Sequence, residues 1–380
     1  IEREMRDPKA AERFALKQSQ AFVDQMEGFA LELEDELMNF SDVSYKSFVK
    51  SESEIITLFY DKFADIPLLS RMDAVAETFI DEIETLLNRD LPEEERIPLI
   101  EKFRKMYETM DFYVLYNRFL KKEGYQTLPR RPLEKRKLRY EDVYPVLYLK
   151  YRLSRQAERS NIKHLVIDEM QDYSRLQYLI IRRMFSCKMT ILGDRAQTMA
   201  DQQQDVLQFL PGIFGKDLRR IEMRKSYRNT VEIASYAANL IGVTDLELFE
   251  RHGMPVLERD VSDLEAALRE AVDTLFPDEK TYETAAVIVP DEKTAERAYL
   301  ILREILAEKD FDCGKRLSWL NRDSSSFKKG LTVTTFYLAK GLEFDQVVSI
   351  FPKDEKREMM MQAQYIAATR ALHELRVYHI

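Results

Sequence analysis

The string HLVIDEMQDYS, His164 to Ser174, places two adjacent carboxylates, Asp168 and Glu169, at the end of a short apolar run. A carboxylate at the carboxyl end of a strand faces the crevice in which doubly wound sheets bind ligands. There Asp168 can hold Mg2+ through water, and Glu169 can orient or deprotonate a water that attacks a phosphoryl group. By itself the pair is ambiguous, because a helix N-cap with an acidic first turn has the same spelling. Gln171 and Asp172 extend the polar string to DEMQD, and about twenty residues later a second apolar run ends in GDRAQ, Gly193 to Gln197. Two successive strands thus finish in polar clusters on one edge, which favours a ligand cleft.

The elements that position these residues begin near Tyr140. Helix YEDVYPVLYLKYRLSRQ, strand HLVID, helix SRLQYLIIRRMF and strand MTILG come first. A second set follows, with strand AAVIVP (Ala285 to Pro290), helix EKTAERAYLILREILAE, strands LTVTTFY and FDQVVSIF, helix REMMMQAQYIAATRAL and a final strand ELRVYHI. This alternation predicts an α/β fold with parallel sheets covered by helices on both faces. Upstream of Tyr140, apolar residues recur at three- and four-residue spacing in AERFALKQSQAFVDQM, SEIITLFYDKF, MDAVAETFIDEIETLL, IPLIEKFRKMY and DFYVLYNRFL, predicting a helical region without strands. Pro67, Pro92 and the basic linker PRRPLEKRKLR interrupt it; the linker reads as a solvated connector or as a polyanion contact.

A length of 380 residues predicts two or three units. With a net charge of -9, the molecule as a whole repels nucleic acid, so any such contact requires a local basic patch. Cys187 and Cys313 stand alone without metal-ligand spacing, which predicts unpaired thiols and a cytoplasmic protein. No apolar run approaches the length of a membrane span and no signal peptide is visible, so no membrane partner is expected. The first residue is Ile1 and IEREMRDPKAAERFALKQ is already helix-like, which suggests a start inside a longer gene product.

Five strings occur in order: DEMQD, GDRAQ, KSYRNT (Lys225 to Thr230), TTFYLAKGLEFD (Thr334 to Asp345) and QYIAATRA (Gln364 to Ala371). Together they resemble motifs II to VI of the UvrD-like superfamily 1 helicases, over the stretch from Tyr140 to the C-terminus. YEDVYPVLYLKYRL ahead of DEMQD, and YLAKGLEFD with Tyr337 where UvrD has His, resemble most the HelD branch, helicase-IV-like factors that act on RNA polymerase. The resemblance implies two RecA-like parallel-sheet domains, the first incomplete, plus an N-terminal all-helical insertion. The boundaries it implies are 1–135 for the insertion, 136–212 for the rest of the first RecA-like domain and 213–380 for the second. It implies ATP and Mg2+ as cofactors, with Asp168 on the metal, Glu169 as catalytic base and Gln197 sensing the γ-phosphate or the attacking water. Tyr227 then offers a face to adenine, Arg228 and Arg370 act as arginine fingers, and Glu343, after a turn at Gly341, accepts from the ribose. Each also has a duller reading: Tyr227 as a core aromatic, the two arginines as surface charges, Gly341 as a turn residue. The implied partner is RNA polymerase, with nucleic acid a further candidate and a monomer expected.

UvrD-like motors need a GxGKT-type loop whose N–H groups and lysine cradle phosphates. Among ten glycines, the two followed by lysine, Gly215 and Gly314, lack the upstream glycine, the hydroxyl and the strand context. A fragment cut between that loop and the helical insertion, itself inactive, accounts for this. In UvrD-like DNA motors the GDxxQ string precedes a tyrosine and a tryptophan that stack on bases, each contact worth roughly 1–3 kcal/mol. Here Ala200 and Gln202 stand there, and the interval from Asn229 to Leu331 is too short for a large accessory domain. Both departures favour a factor that remodels a protein complex. A DNA-translocating helicase needs an aromatic from elsewhere, such as Trp319 or Phe336, and a catalytically dead binding protein is a third reading. The helical region is expected to project as an arm, with the aromatics of ITLFYDKF and DFYVLYNRF exposed for a partner.

Overall fold

Polar side chains cap three of the helices upstream of Tyr140. The computed structural model describes residues 8–155, 161–194, 206–223, 225–243, 247–275, 282–308, 316–322, 324, 329–353 and 358–380. The chain forms two units, residues 1–193 with 204–218, and residues 194–203 with 219–380.

In the first unit α1 (Pro8–Gln18), α2 (Gln20–Glu36), α3 (Glu52–Thr57), α4 (Arg71–Leu87), α5 (Glu93–Arg104), α6 (Phe112–Lys122) and α7 (Tyr140–Leu153) follow one another. Ser19 accepts from the Phe22 N–H, Ser51 forms a capping box with Glu54, and Asp111 accepts from the Tyr113 N–H. Each cap satisfies an amide that the helix cannot pair internally. Between α2 and α3 the expectation of helix alone fails: β1 (Val43–Tyr45) pairs antiparallel with β2 (Phe48–Lys50). The turn takes Lys46 at φ 53, a conformation that usually advertises itself through Gly or Asn.

The aromatics expected on the surface build the interior instead. Phe59, Tyr116 and Phe119 are fully buried, in one core with Phe22, Met26 and Phe79. That core continues into Tyr148, Leu149 and Leu153 of α7 and into Leu176 and Ile180 of α8 (Arg175–Met184). It therefore crosses residue 135 without a break, and an arm standing clear of the following segment is not what it describes. Ion pairs reinforce the seam. Arg13 bonds Glu141 at 2.9 Å, buried Lys17 bonds buried Asp142, and the Tyr116 hydroxyl donates to Asp142 at 2.7 Å. Glu27 on α2 accepts from Tyr148 of α7, from Arg152 of α7 at 2.9 Å and from Arg183 of α8 at 2.9 Å. The polar residues of YEDVYPVLYLKYRL are thus the joint between the helical region and the segment that carries DEMQD.

That segment contributes β3 (His164–Ile167) parallel to β4 (Lys188–Ile191), with Ile167 opposite Ile191. One face of the pair packs through Ile167 on Tyr178 of α8 and on Phe209 and Leu210 of α9 (Val206–Phe214).

The second unit holds a two-stranded parallel pair, β5 (Lys225–Ser226) and β6 (Glu247–Leu248), and a six-stranded sheet. The sheet comprises β7 (Leu257–Asp260), β8 (Thr284–Val289), β9 (Leu317–Trp319), β10 (Gly330–Thr335), β11 (Phe344–Phe351) and β12 (Ala371–His379). Their order is β7-β12-β11-β8-β10-β9, and every pairing is parallel. Along β8, Ala285, Val287 and Val289 join a core with α11 (Leu264–Val272) and α12 (Glu292–Glu308). Ala286 and Ile288 join a different core with α10 (Val231–Leu240) and α13 (Glu358–Thr369). A strand that alternates between two cores has helices on both faces, as the α/β RecA-like expectation requires. Phe336 is 2% exposed inside the second of these cores, so it offers no face to a nucleic-acid base. Trp319 stacks on Tyr299 at 6.1 Å. Cys187 is a free thiol, while Cys313 lies outside the described residues. Among the described residues no helix is long and apolar enough to cross a membrane.

Candidate active site

In the first unit, β3 delivers Asp168 exposed at its carboxyl end and the backbone then turns sharply. Glu169 sits at φ 53, ψ 50, a left-handed conformation that costs a residue with a side chain about 1–3 kcal/mol. A turn of 3-10 helix, Met170–Asp172, follows, and Ser174 starts α8 with a capping box to Gln177. The N-cap of that helix is therefore Ser174, and the two carboxylates lie before it, which removes the capping alternative for Asp168 and Glu169. The strained residue is held from three sides. Its N–H donates to Asp168 Oδ1 at 2.8 Å, its carboxylate accepts from the buried Gln171 amide at 2.5 Å, and the next N–H, of Met170, donates to Leu192 O at 2.8 Å.

Gly193 explains why GDRAQ starts as it does. A Cβ there lies 2.5 Å from Gln171 Oε1 and 2.6 Å from the Met170 nitrogen, so only glycine lets β4 run out against the carboxylate turn. Among the described residues no three His, Cys, Asp or Glu side chains form a metal cage. The exposed carboxylate of Asp168 at the strand end would suit an Mg2+ held through few protein groups, with water and phosphate oxygens completing its shell. Gln197, with Ala200 and Gln202, lies outside the described residues.

In the second unit four of the expected residues come together. β10 leads into a turn closed by Ala339 N–H to Thr335 O and Leu342 N–H to Ala339 O, both 2.9 Å. Gly341 has φ 80 within it, and an added Cβ meets nothing within 4 Å, so backbone conformation and not space calls for glycine. Glu343 follows and pairs with Arg228 at 2.6 Å, both side chains close to half exposed. Arg370, the one residue joining α13 to β12, is 2% exposed. Its guanidinium donates to Leu342 O at 3.3 Å, Ile366 O at 3.2 Å and Thr369 Oγ1 at 3.1 Å, and its own carbonyl accepts from the Phe344 N–H at 2.9 Å. It is therefore no surface charge; it braces the turn that presents Glu343.

KSYRNT divides by role. Buried Asn229 donates to Ala371 O at 2.6 Å and Thr230 caps α10, so these two anchor the loop. Tyr227 and Arg228 are the residues presented outward, and at 60% exposure Tyr227 is not a core aromatic. Three further participants, Tyr365, Asp194 and Arg251, were not among the expected site residues. The largely buried Tyr365 hydroxyl donates to Asp194 Oδ2 at 3.1 Å, and Arg228 and Arg370 both lie within electrostatic reach of it. Burial first, then the Asp194 carboxylate, pushes that hydroxyl well above the usual phenol range. Arg251 donates to Arg228 O at 3.0 Å and Leu372 O at 3.2 Å, tying the loop to β12. Tyr365 and Asp194 stood inside strings already singled out, but Arg251 carried no local signal.

The UvrD/REP helicase N-terminal domain matches residues 6–199. Among solved structures, the C-terminal domain of a possible DNA helicase from Lactobacillus plantarum WCFS1 is 24% identical, over 41% of this chain and 88% of that one, with a TM-score of 0.32. The PRRSV helicase is 14% identical over 70% of this chain and 45% of that one, with a TM-score of 0.33. An arterivirus nonstructural protein 10 helicase in complex with DNA is 14% identical over 57% and 40%, with a TM-score of 0.30. The chain thus spans less than half of either viral helicase, and likenesses at these TM-scores carry no weight. No curated protein matches.

Proposed function

The chain belongs to the UvrD/REP helicase family, and from that premise we propose that it carries the hydrolytic and arginine-bearing portions of an ATP-driven helicase-like motor. The observation that carries the reading is the strained Glu169 beside Asp168, locked by Gln171 and by the close approach of Gly193. Strain kept in place by its surroundings is characteristic of sites that must hold one geometry. Asp168 would hold the Mg2+ that accompanies ATP, Glu169 would orient and deprotonate the attacking water, and Gln197 would sense the γ-phosphate. Tyr227 would take the base, Glu343 the ribose and Arg228 the charge on the γ-phosphate, while Arg370, whose guanidinium is held by Leu342 O, Ile366 O and Thr369 Oγ1, would keep in place the turn that presents Glu343. Arg228 must first release Glu343, so nucleotide binding exchanges one ionic partner for another.

No GxGKT-type loop occurs in these 380 residues, so the chain alone is expected to show no turnover. In a gene product that joins it to such a loop, Glu169→Gln should leave ATP binding intact and lower kcat about 10²- to 10⁴-fold, since it removes a base and no binding contact. Equal losses of binding and hydrolysis, or turnover by the chain alone that Glu169→Gln abolishes, would sink this assignment.

The finer reading is a HelD-type factor whose ATP cycle remodels RNA polymerase, with single-strand nucleic acid as the competing partner. Tyr337, the YEDVYPVLYLKYRL string and the absence of aromatics at Ala200 and Gln202 support it. The buried aromatics of the helical region do not, and the apolar residues available to a partner there are aliphatic: Leu31, Leu86 and Ile97 are 57–72% exposed. Removing the helical region destroys a shared core and is no test. Leu86→Glu with Ile97→Glu keeps that core; it should weaken polymerase capture while leaving single-strand DNA binding unchanged, and the reverse pattern promotes the helicase reading.

A further inference from the structure

The joint between the helical region and the segment that carries DEMQD encloses a cavity of about 940 Å³. Its walls come from Glu34 of α2, the loop 64–67, Arg71 of α4, the end of α7, Asn161 and the end of α8. Asn161 precedes β3 and α8 returns the chain toward the start of β4, whereas Asp168 lies at the other end of β3. The cavity is therefore on the edge of the strands opposite the two carboxylates. Its volume falls at the upper end of the range for small-molecule sites, about 300–1,000 Å³. Three guanidinium groups line it with donors to spare. Arg152 spends only its Nε, on Glu27 at 2.9 Å, and Arg183 only its Nη2, on Glu27 at 2.9 Å and the Tyr148 hydroxyl at 3.3 Å. Sharing one carboxylate brings these two cations together and leaves positive charge in excess. A basic last turn suits the negative end of a helix, which accounts for Arg152 and Arg183 but not for Arg155. That residue lies beyond the end of α7, its N–H donates to Ser70 Oγ at 2.8 Å, and among the described residues its side chain has no partner. The two carboxylates of the walls differ: Glu34 is held by buried Arg71 at 3.1 Å, while Asp65 is exposed.

We propose that this cavity binds a small phosphate ester, with its phosphoryl group among Arg152, Arg155 and Arg183 and its body against Pro67, Tyr151 and Met184. The proposal is independent of the nucleotide reading above. A guanidinium offers a planar fork of N–H donors that matches phosphoryl oxygens, and hydrogen bonds to an ionised acceptor are about twice as strong as neutral ones. The apolar part of the lining gives an ester a place for its body that inorganic phosphate cannot use. Asp65 restricts the site to one compact anionic group, because a phosphodiester chain running through it would carry further negative charges past a carboxylate. Since the walls belong to α2 and α4 on one side and to α7 and α8 on the other, an occupant ties the helical region to the catalytic segment.

Phenyl phosphate is the probe, with inorganic phosphate and phenol as its two halves, titrated into the whole chain by calorimetry and ligand-observed NMR and followed by thermal melting. Phenyl phosphate should bind saturably, more tightly than either half, and should raise the melting temperature. Arg155→Gln should weaken it about tenfold, the loss of one charge-assisted hydrogen bond, and leave the melting of the ligand-free chain unchanged, since that side chain has no partner to lose. Arg155→Lys keeps the charge without the fork and should recover part of the affinity, and Asp65→Asn should tighten binding. The proposal is overturned if phenyl phosphate shows no saturable binding, or if either half binds as tightly. It is overturned equally if Arg228→Gln abolishes binding and Arg155→Gln does not, which would move the phosphate to the nucleotide site. An oligothymidylate that displaces phenyl phosphate and itself loses affinity with Arg155→Gln would replace the small ligand by a nucleic-acid track.

Discussion

The helical region of the first unit and the sheet of the second are both buried at their centres, yet different interactions set their parts. In the helical region and its joint, Lys17, Lys50, Arg71, Glu141 and Asp142 are all buried, each with an ionic partner. In the second unit Arg370 is the one charged side chain buried to that degree among the described residues. The buried polar residues of its central strands are the uncharged Thr332, Thr334, Thr335, Gln346 and Ser349. The difference follows from what each architecture specifies without help. A strand's register is set by which of its side chains must face the core, because a one-residue slip reverses every side chain. Helices satisfy their backbones internally and pack ridges into grooves with considerable latitude in angle. On this reading, buried ion pairs supply the register that helix packing leaves open, at a desolvation cost that good geometry offsets.

The comparison breaks most readily at Asp142. Asp142→Ala leaves Lys17 buried without its carboxylate and deprives the Tyr116 hydroxyl of its acceptor. We expect a loss of about 3–5 kcal/mol, confined to the transition of the first unit in urea unfolding of the whole chain. Lys17→Met combined with Asp142→Leu should recover much of it, because removing both charges removes the desolvation cost as well. A loss below about 1 kcal/mol for Asp142→Ala would show the pair to be incidental.

A smaller effect sharpens the same contrast through pH. Burial raises the Glu27 carboxyl, but hydrogen bonds from Tyr148, Arg152 and Arg183 outweigh it and hold the group below the usual range. A carboxylate with a lowered folded pKa contributes stability that is present above its unfolded value, about 4.3, and disappears as pH falls through the folded value. The first unit should therefore lose stability as pH drops below about 4.3, and Glu27→Gln should flatten part of that slope while lowering stability near neutrality. Measured by thermal unfolding at stepped pH, identical slopes for the variant and the wild type would remove Glu27 from the joint.

The strings of the candidate site were legible because they are local. DEMQD, KSYRNT and YLAKGLEFD each keep a functional side chain within a few residues of the turn, cap or glycine that positions it. Strand–helix alternation was legible for a related reason: β8, β10 and β11 are short apolar runs with no competing period. The β1–β2 hairpin was not, since Lys46 takes a left-handed conformation with no residue of turn type to announce it. Nor was the burial of Phe59, Tyr116 and Phe119, because a period of three to four residues names a face without naming what covers it.

By itself the sequence singled out the candidate residues for phosphoryl chemistry and the parallel strands expected to carry them, since residue types, caps and periods are properties of a few neighbours. Tertiary structure alone decided which of them meet. Arg228 and Glu343 stand more than a hundred residues apart and pair at 2.6 Å. Phe249 reaches Tyr227 through strand register, and Arg370, expected as an arginine finger with a surface charge as the duller reading, is a buried brace. Those placements depend on how sheets and helices close around each other, and the free energy that selects one closure is summed over the whole core.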